Sequence, residues 1–148
     1  MALTPFLMFE GKAQEAIDLY TAVIPRSSVA SVVHFDAQEV KESTDAVDTE
    51  AHPAVESESA LIMMAVLNLG GMTLRLNDSP IHHQFTFTPA TSLYFETGDL
   101  AEYESVLAGL SDGGMFLMED RDDYGFAARF AWLNDRFGVS WQLSYNPA

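Results

Sequence analysis

The feature that most constrains the fold of this chain is that one order of predicted elements occurs twice. In each half, a strand is followed by an amphipathic helix and then by three more strands. A shift of 87 residues places TPFLMFEGKAQEAIDLY, which begins at Thr4, on TSLYFETGDLAEYESVL, which begins at Thr91. A shift of 67 residues places GMTLRLN, from Gly71, on GVSWQLS, from Gly138. Such internal matches indicate a fold built from two copies of one structural unit.

The spacing of apolar residues places the elements within each half. Apolar residues at helical spacing predict a first helix over 12–24, which Pro25 ends. A second helix is predicted to begin after Asp99, because Glu102 three residues later completes a helix-start signal. Apolar runs and alternation predict strands in the segments 4–10, 27–35, 60–78 (two strands joined at Gly70 and Gly71), from Thr91, and at 115–119, 125–134 and 139–145.

The charge of the chain argues against several classes of partner. It carries 22 acidic and 7 basic residues, a net charge of −15, so nucleic acid and anionic membranes are unfavourable partners. Much of the acid lies in the segment 36–59, predicted to be a solvated loop, with a cation-binding tail or a dimer-contacting arm as alternatives. There is no cysteine, signal peptide pattern or membrane-length apolar run, so a cytoplasmic protein is expected.

The two ends of the sequence resemble a known family. TPFLMFEGKAQEAIDLYTAVIP near the start and WLNDRFGVSWQLSYNP near the end resemble the PhnB-like branch of the vicinal oxygen chelate superfamily. This branch is also labelled demethylubiquinone-methyltransferase-like, and the superfamily includes glyoxalase and bleomycin-resistance proteins. The resemblance implies an α+β fold of two βαβββ modules whose curled, mostly antiparallel sheets surround a cavity, and it implies a homodimer. A single domain over 1–148 is expected, with modules at 1–78 and 90–148.

Metal-dependent members of the superfamily bind one divalent ion through His, Gln or Glu on the first and last strand of each module. Carried onto this sequence by the matching motifs, those positions are Pro5, Arg75, Ser92 and Gln142. Only Gln142 is an acceptable ligand among them, and the permanent charge of Arg75 repels a cation. The sequence therefore predicts no metal. No glycine-rich cofactor motif supports the methyltransferase label either, so no cofactor is expected.

Strand alternation extends these positions to a set of residues expected to face the cavity. Leu7 and Phe9 share the predicted face of Pro5, whereas Trp141 has the opposite parity and is expected in the core. Arg75 and Gln142 each have a structural alternative to ligand binding. Arg75 can pair with an acidic neighbour such as Glu96, and Gln142 can serve only to satisfy hydrogen-bonding partners within its sheet. The predicted ligand-binding residues are Thr73, Arg75, Ser92, Tyr94, Ser140 and Gln142.

These residues predict a protein that binds a small organic molecule in a metal-free cavity, where a guanidinium would favour an anionic group. No tuned general base is evident, so binding and catalysis both stay open. A metal-dependent lyase, isomerase or dioxygenase of the same superfamily is the alternative, and a protein that only sequesters its ligand is a third hypothesis.

Overall fold

The computed structural model describes residues 1–36 and 61–148. Apart from its first residue, the predicted acidic loop at 36–59 therefore lies outside the described residues. The chain divides into two compact units, Met1–Gln84 and Phe85–Ala148, and each is described by itself.

The first unit contains one helix and one four-stranded sheet among its described residues. The strand order is β1-β4-β3-β2, in which β1 runs parallel to β4 and the other neighbours are antiparallel. The elements are β1 (Phe6–Phe9), α1 (Ala13–Val23), β2 (Ser28–His34), β3 (Ile62–Leu69) and β4 (Met72–Asp78).

The second unit repeats this plan. Its strand order is β5-β8-β7-β6, with β5 parallel to β8 and the other neighbours antiparallel. The predicted βαβββ order is thus confirmed in both halves, with boundaries shifted by a few residues. The elements are β5 (Leu93–Thr97), α2 (Leu100–Ser111), β6 (Met115–Arg121), β7 (Arg129–Asn134) and β8 (Ser140–Tyr145).

Each sheet buries one face beneath its helix. The apolar residues of that face alternate with polar or exposed residues along β4 and β8, as expected for a sheet with one covered side. Trp141 lies on the covered face of the second unit and is 3% exposed, so its prediction as a core residue is confirmed. The largest fully buried side chains are Tyr20, Tyr103, Ile17, Leu61, Ile62, Leu67, Leu74, Leu76, Leu110, Leu133, Leu143 and Val106.

The two helices begin in different ways. At the start of α2, the Asp99 side chain accepts a hydrogen bond from the Glu102 N–H at 3.1 Å, as the sequence signal predicts. Lys12 precedes α1 and offers no side-chain cap. Its place is taken by Asp78 at the end of β4, a buried carboxylate that accepts from the N–H groups of Gly11 and Ala13.

One prediction of strand parity was wrong. Leu7 and Phe9 were expected on the face of Arg75, but Phe6 is the register partner of Arg75, and Phe9 is buried on the helix side. In the second unit the partner of Gln142 is Tyr94, as predicted. The cause is a one-residue difference in the connection, since α1 begins seven positions after Phe6 whereas α2 begins six after Tyr94. An offset that aligns the helices therefore slips the strands by one residue and reverses their faces.

Candidate functional site

Each sheet has a second face, opposite its buried core, which we call the open face. In the first unit, Thr73, Arg75 and Asn77 lie on the open face of β4, alternating with the buried Leu74 and Leu76. The Asn77 side-chain oxygen is buried and accepts no hydrogen bond from the described part of the chain. The open face of this unit is therefore polar along β4.

Arg75 is an exposed cation at the middle of this face. Its register neighbours are Phe6 on β1 and Val66 on β3, so the guanidinium stem stands between two apolar side chains. Within residues 1–36 and 61–148, the Arg75 side chain makes no hydrogen bond or ion pair. A planar, permanently charged donor that has no partner among these residues can pair with a carboxylate or phosphate of a ligand.

In the second unit, a lateral row of three side chains crosses the open face. Gln142 on β8 has Tyr94 of β5 and Trp132 of β7 as register partners. Tyr94 is 55% exposed, and Trp132 and Gln142 are half-buried. The Gln142 amide forms no side-chain hydrogen bond with the residues described. The row therefore presents one unpaired amide between two aromatic rings.

The hydroxyl groups beside this row are already occupied. The Trp132 Nε1–H donates to Ser140 Oγ at 2.8 Å, and Ser140 Oγ lies 2.7 Å from Ser92 Oγ. Ser140 is only 2% exposed. These two predicted ligand-binding serines form a hydrogen-bonded relay that fixes the indole ring. With both serine hydroxyls paired to each other, the side chains that remain available to a ligand in this part of the face are those of Tyr94, Gln142 and Trp132.

An aromatic cluster continues the open face of the second unit. The rings of Phe126 and Phe130 meet edge to face, with centroids 4.8 Å apart, and Tyr124 lies 5.8 Å from Phe130. Phe126 is 59% exposed. Phe130 is the register partner of Ser144, so the cluster lies on the same face as Gln142. This face therefore combines exposed aromatic surface with a few hydrogen-bonding groups.

A pocket of about 300 Å³ opens at the end of β5 and β8. Glu96 and Ser144 follow Tyr94 and Gln142 by two residues on their strands and therefore lie on the same face. The pocket adjoins the row and adds one carboxylate to its surroundings. Its lining residues are Glu96, Thr97, Gly98, Ser144, Asn146 and Ala148.

A network of hydrogen bonds and an ion pair lies on the other side of the second unit's sheet. Tyr103 of α2 donates to Asp120 Oδ1 at 2.8 Å, and the Arg129 guanidinium holds both carboxylate oxygens of Asp120. Burial and the hydrogen bond to Asp120 raise the pKa of Tyr103 well above its usual range. Burial opposes ionisation of Asp120, but the hydrogen bonds from Arg129 and Tyr103 prevail and lower its pKa. This network joins α2 to β6 and β7 and lies away from the open face.

Comparison with known proteins identifies the family. The family model of 3-demethylubiquinone-9 3-methyltransferase matches residues 1–144. The chain belongs to this PhnB-like family. It is similar to a PhnB protein of known structure from Bacillus cereus, with 34% identity, a TM-score of 0.82 and coverage of 98% of this chain and 99% of that one. Protein PA1353 from Pseudomonas aeruginosa is 23% identical, with a TM-score of 0.75 and coverage of 100% and 99%.

A more distant structure shows the fold. A glyoxylase/bleomycin resistance protein/dioxygenase domain from Frankia sp. EAN1pec is 11% identical, with a TM-score of 0.63 and coverage of 99% and 97%. The PhnB-like chain therefore has the glyoxalase/bleomycin-resistance fold expected from its sequence. Comparison with curated proteins gives no significant match. In the described ranges, neither helix has the length and apolarity to cross a membrane.

The residues at the superfamily's metal positions do not fit a divalent cation in this PhnB-like chain. The motifs assign these positions to Pro5, Arg75, Ser92 and Gln142, whereas the register partners of Arg75 and Gln142 in the structure are Phe6 and Tyr94. A phenyl ring and a guanidinium offer no ligand, and one neutral phenol and one amide oxygen fall short of the oxygen-rich set that such an ion needs. Outside the undescribed segment 37–60, no cluster of three or more His, Asp or Glu residues could hold a metal.

The sequence-predicted residues thus lie on the open face of one unit or the other. Thr73 and Arg75 lie on that of the first unit, and the other four lie on that of the second; the prediction that all six serve one cavity stays a prediction. Sequence reasoning missed Trp132 and the Phe126 cluster. Alternation along RFAWLN is enough to assign Trp132 to the open face, because its neighbours Ala131 and Leu133 have the opposite parity and are buried.

Proposed function

We propose that this PhnB-like protein binds a small organic anion without a divalent metal, and that Arg75 pairs with the anionic group. The observation that carries the proposal is that Arg75 forms no ion pair with a carboxylate of the described residues. Lys12, Arg121, Arg129 and Arg136 each form an ion pair with a carboxylate, whereas Arg75 has no such partner in the described ranges.

The charge of the protein makes this unpaired guanidinium informative. With 22 acids and 7 bases, carboxylates are abundant, so an arginine that pairs with none of those in the described residues needs an explanation. Arg75 is exposed on the sheet between Phe6 and Val66, so its planar fork is available to a ligand. A ligand carboxylate or phosphonate fits this donor geometry, and charge-assisted hydrogen bonds of this kind are the strong ones.

Arg75→Ala tests the proposal. We expect it to weaken binding of an anionic probe about 10- to 100-fold, which corresponds to the loss of about 1.5–3 kcal/mol for a hydrogen bond to a charged group. The measurement is calorimetry with a panel of carboxylates and phosphonates, each paired with its neutral amide or ester. Arg136→Ala is the matched control because it makes the same change in net charge at an arginine paired with Asp112.

Three further results decide between the alternatives. Arg75→Lys should retain part of the affinity, since it keeps the charge but loses the bidentate fork. EDTA should leave the affinity unchanged; an affinity that EDTA abolishes and a divalent ion restores would support the metal-dependent alternative. Equal weakening by Arg75→Ala and Arg136→Ala would refute a specific role for Arg75. A double-mutant cycle of Arg75→Ala with Gln142→Ala measures whether both residues serve one ligand.

We also propose that the protein is a homodimer. Apolar side chains are exposed on one of the two outer strands of each four-stranded sheet, namely Val29 and Val33 on β2 and Met115 and Phe116 on β6. Outer strands with apolar side chains are a liability that proteins normally cover. A second copy of the chain is the partner that the family resemblance implies. A cytoplasmic location stays a prediction of the sequence.

A further inference from the structure

We propose that Tyr94, Gln142 and Trp132 form a subsite for a flat, conjugated ring, and that the Ser140 and Ser92 relay positions its Trp132 wall. This inference rests on the proposed small-molecule function and names the class of ligand. It concerns the second unit alone, and it depends on three independent features of the row.

The first feature is the order of the side chains across the strands. Tyr94, Gln142 and Trp132 are successive register partners on β5, β8 and β7, so neighbouring backbones lie about 4.7–4.9 Å apart. The amide in the middle is therefore within reach of any group that touches both rings. Aromatic faces prefer other π-systems in offset or edge-to-face contact, whereas a saturated ring gains only area.

The second feature is that Trp132 is held in place. Its indole N–H donates to Ser140, and the buried Ser140 hydroxyl contacts Ser92. The polar end of the indole is thereby satisfied inside the sheet, and its ring contributes apolar surface on the open face. A wall that is already fixed loses little side-chain entropy when a ligand packs on it. The relay thus supports a ring-binding role for Trp132 better than direct ligand contacts by the two serines.

The third feature is the hydrogen-bonding capacity left beside the wall. The Gln142 amide is unpaired within the described residues, and the buried Asn134 side-chain oxygen accepts no hydrogen bond from them either. Asn134 is the register partner of Ser140 and lies one step along the same face. A buried acceptor without a partner costs stability, which a ligand donor can recover. A flat ring bearing a hydrogen-bonding edge group satisfies all three features.

The chain contains two tryptophans, and they report on opposite faces of one sheet. Trp141 is 3% exposed on the covered face, where its N–H donates to Asp135 at 3.0 Å. Trp141→Phe leaves Trp132 as the single tryptophan of the open face, and Trp132→Phe leaves Trp141 as the single tryptophan of the core. Fluorescence of these two variants therefore separates ligand contact from a global change.

The probes are naphthalene-2-carboxylate and its saturated analogue decahydronaphthalene-2-carboxylate, which carry the same charge. We expect the flat acid to quench Trp132 in the Trp141→Phe variant and to leave Trp141 unchanged in the Trp132→Phe variant. By calorimetry on the wild-type protein, the flat acid should bind about tenfold more tightly than the saturated one. Trp132→Leu should remove that preference, and Ser140→Ala should reduce it.

Four outcomes overturn the inference: equal affinity for both acids, a response of Trp141 without one of Trp132, no binding by any probe, or a Trp132 emission that changes on dilution of the protein alone. The last result would indicate that a second copy of the chain, and not a ligand, contacts the row. A saturated acid that binds as tightly as the flat acid, in an Arg75-dependent way, leaves the proposed function standing and refutes the ring subsite. Neutral 2-naphthamide that binds at Trp132 as tightly as the acid, without dependence on Arg75, supports the subsite and refutes the anion proposal. Because the wild-type comparison needs no substitution, a variant that fails to fold does not affect it.

Discussion

Replacing Asp78 with alanine should destabilise the first unit far more than the loss of an ordinary helix cap. The Asp78 carboxylate is buried and accepts three backbone hydrogen bonds, from Gly11 at 2.7 Å, Ala13 at 3.0 Å and Ile62 at 3.0 Å. It joins the start of α1 and the start of β3 to the end of β4. Helix α1 has 11 residues and no cap from Lys12, so it depends on tertiary contacts for its stability.

The magnitude follows from the groups left without a partner. Each buried N–H that loses its acceptor costs about 1–3 kcal/mol. Since three such bonds share one side chain and relax together, we expect about 4 kcal/mol for Asp78→Ala rather than the full sum. Asp78→Asn keeps one oxygen for Gly11 and Ala13 but turns an NH2 group toward the Ile62 N–H, so its cost should be about half as large.

Asp99→Ala is the matched control, because Asp99 caps α2 through one exposed hydrogen bond and its loss costs about 1 kcal/mol. The assay is urea unfolding followed by far-UV circular dichroism. With a slope of about 2 kcal/mol per molar urea, the midpoint should fall by about 2 M for Asp78→Ala and about 0.5 M for Asp99→Ala. A shift for Asp78→Ala no larger than that for Asp99→Ala would refute the reasoning.

Two more predictions concern acid stability and assembly. The pKa of Asp120 is lower in the folded protein than its usual value of 3.8, so its network stabilises the fold above that pH and loses this contribution as the pH falls through the lowered pKa. Asp120→Asn should therefore lower the urea midpoint at pH 7, and the difference from wild type should shrink at about pH 2.5. For the homodimer, light scattering at micromolar concentration should give twice the chain mass of 16.3 kDa. Val33→Lys and Phe116→Lys should shift the protein toward monomer, and a wild-type monomer at that concentration would contradict the proposal.

The order of elements was predictable because it depends on local signals. Two turn glycines, a proline after the first helix and the Asp99 cap mark boundaries that the chain itself encodes. The faces of β4, β5 and β8 were predictable for the same reason, since apolar and polar residues alternate along each of them. The face of β1 was predicted jointly with that of β5 through the 87-residue shift, and the one-residue slip in that alignment caused the error in β1. All four residues of that strand are apolar, so alternation could not correct the slip.

The candidate site was less predictable because it depends on pairing between strands that are distant in sequence. Trp132 becomes a neighbour of Gln142 only when β7 and β8 pair in one register, and the predicted strand 125–134 began before the observed Arg129. That the Ser140 hydroxyl serves Trp132 also follows only from the side-chain geometry. Residue type suggested that serines on a polar face contact ligand, whereas packing gave them a partner within the sheet.

Comparison of the two units indicates how such a site can change without changing its fold. In both, the first strand runs parallel to the last and places an aromatic residue beside a polar one: Phe6 beside Arg75, and Tyr94 beside Gln142. The third position of the row differs, because Val66 stands where the second unit has Trp132. The backbone pairing that aligns each row does not depend on these side chains, so one substitution alters the chemistry of a row and leaves its geometry intact. On this reasoning, Val66→Trp should be tolerated on its half-buried open-face position, whereas the same change at the buried Leu67 should unfold the first unit.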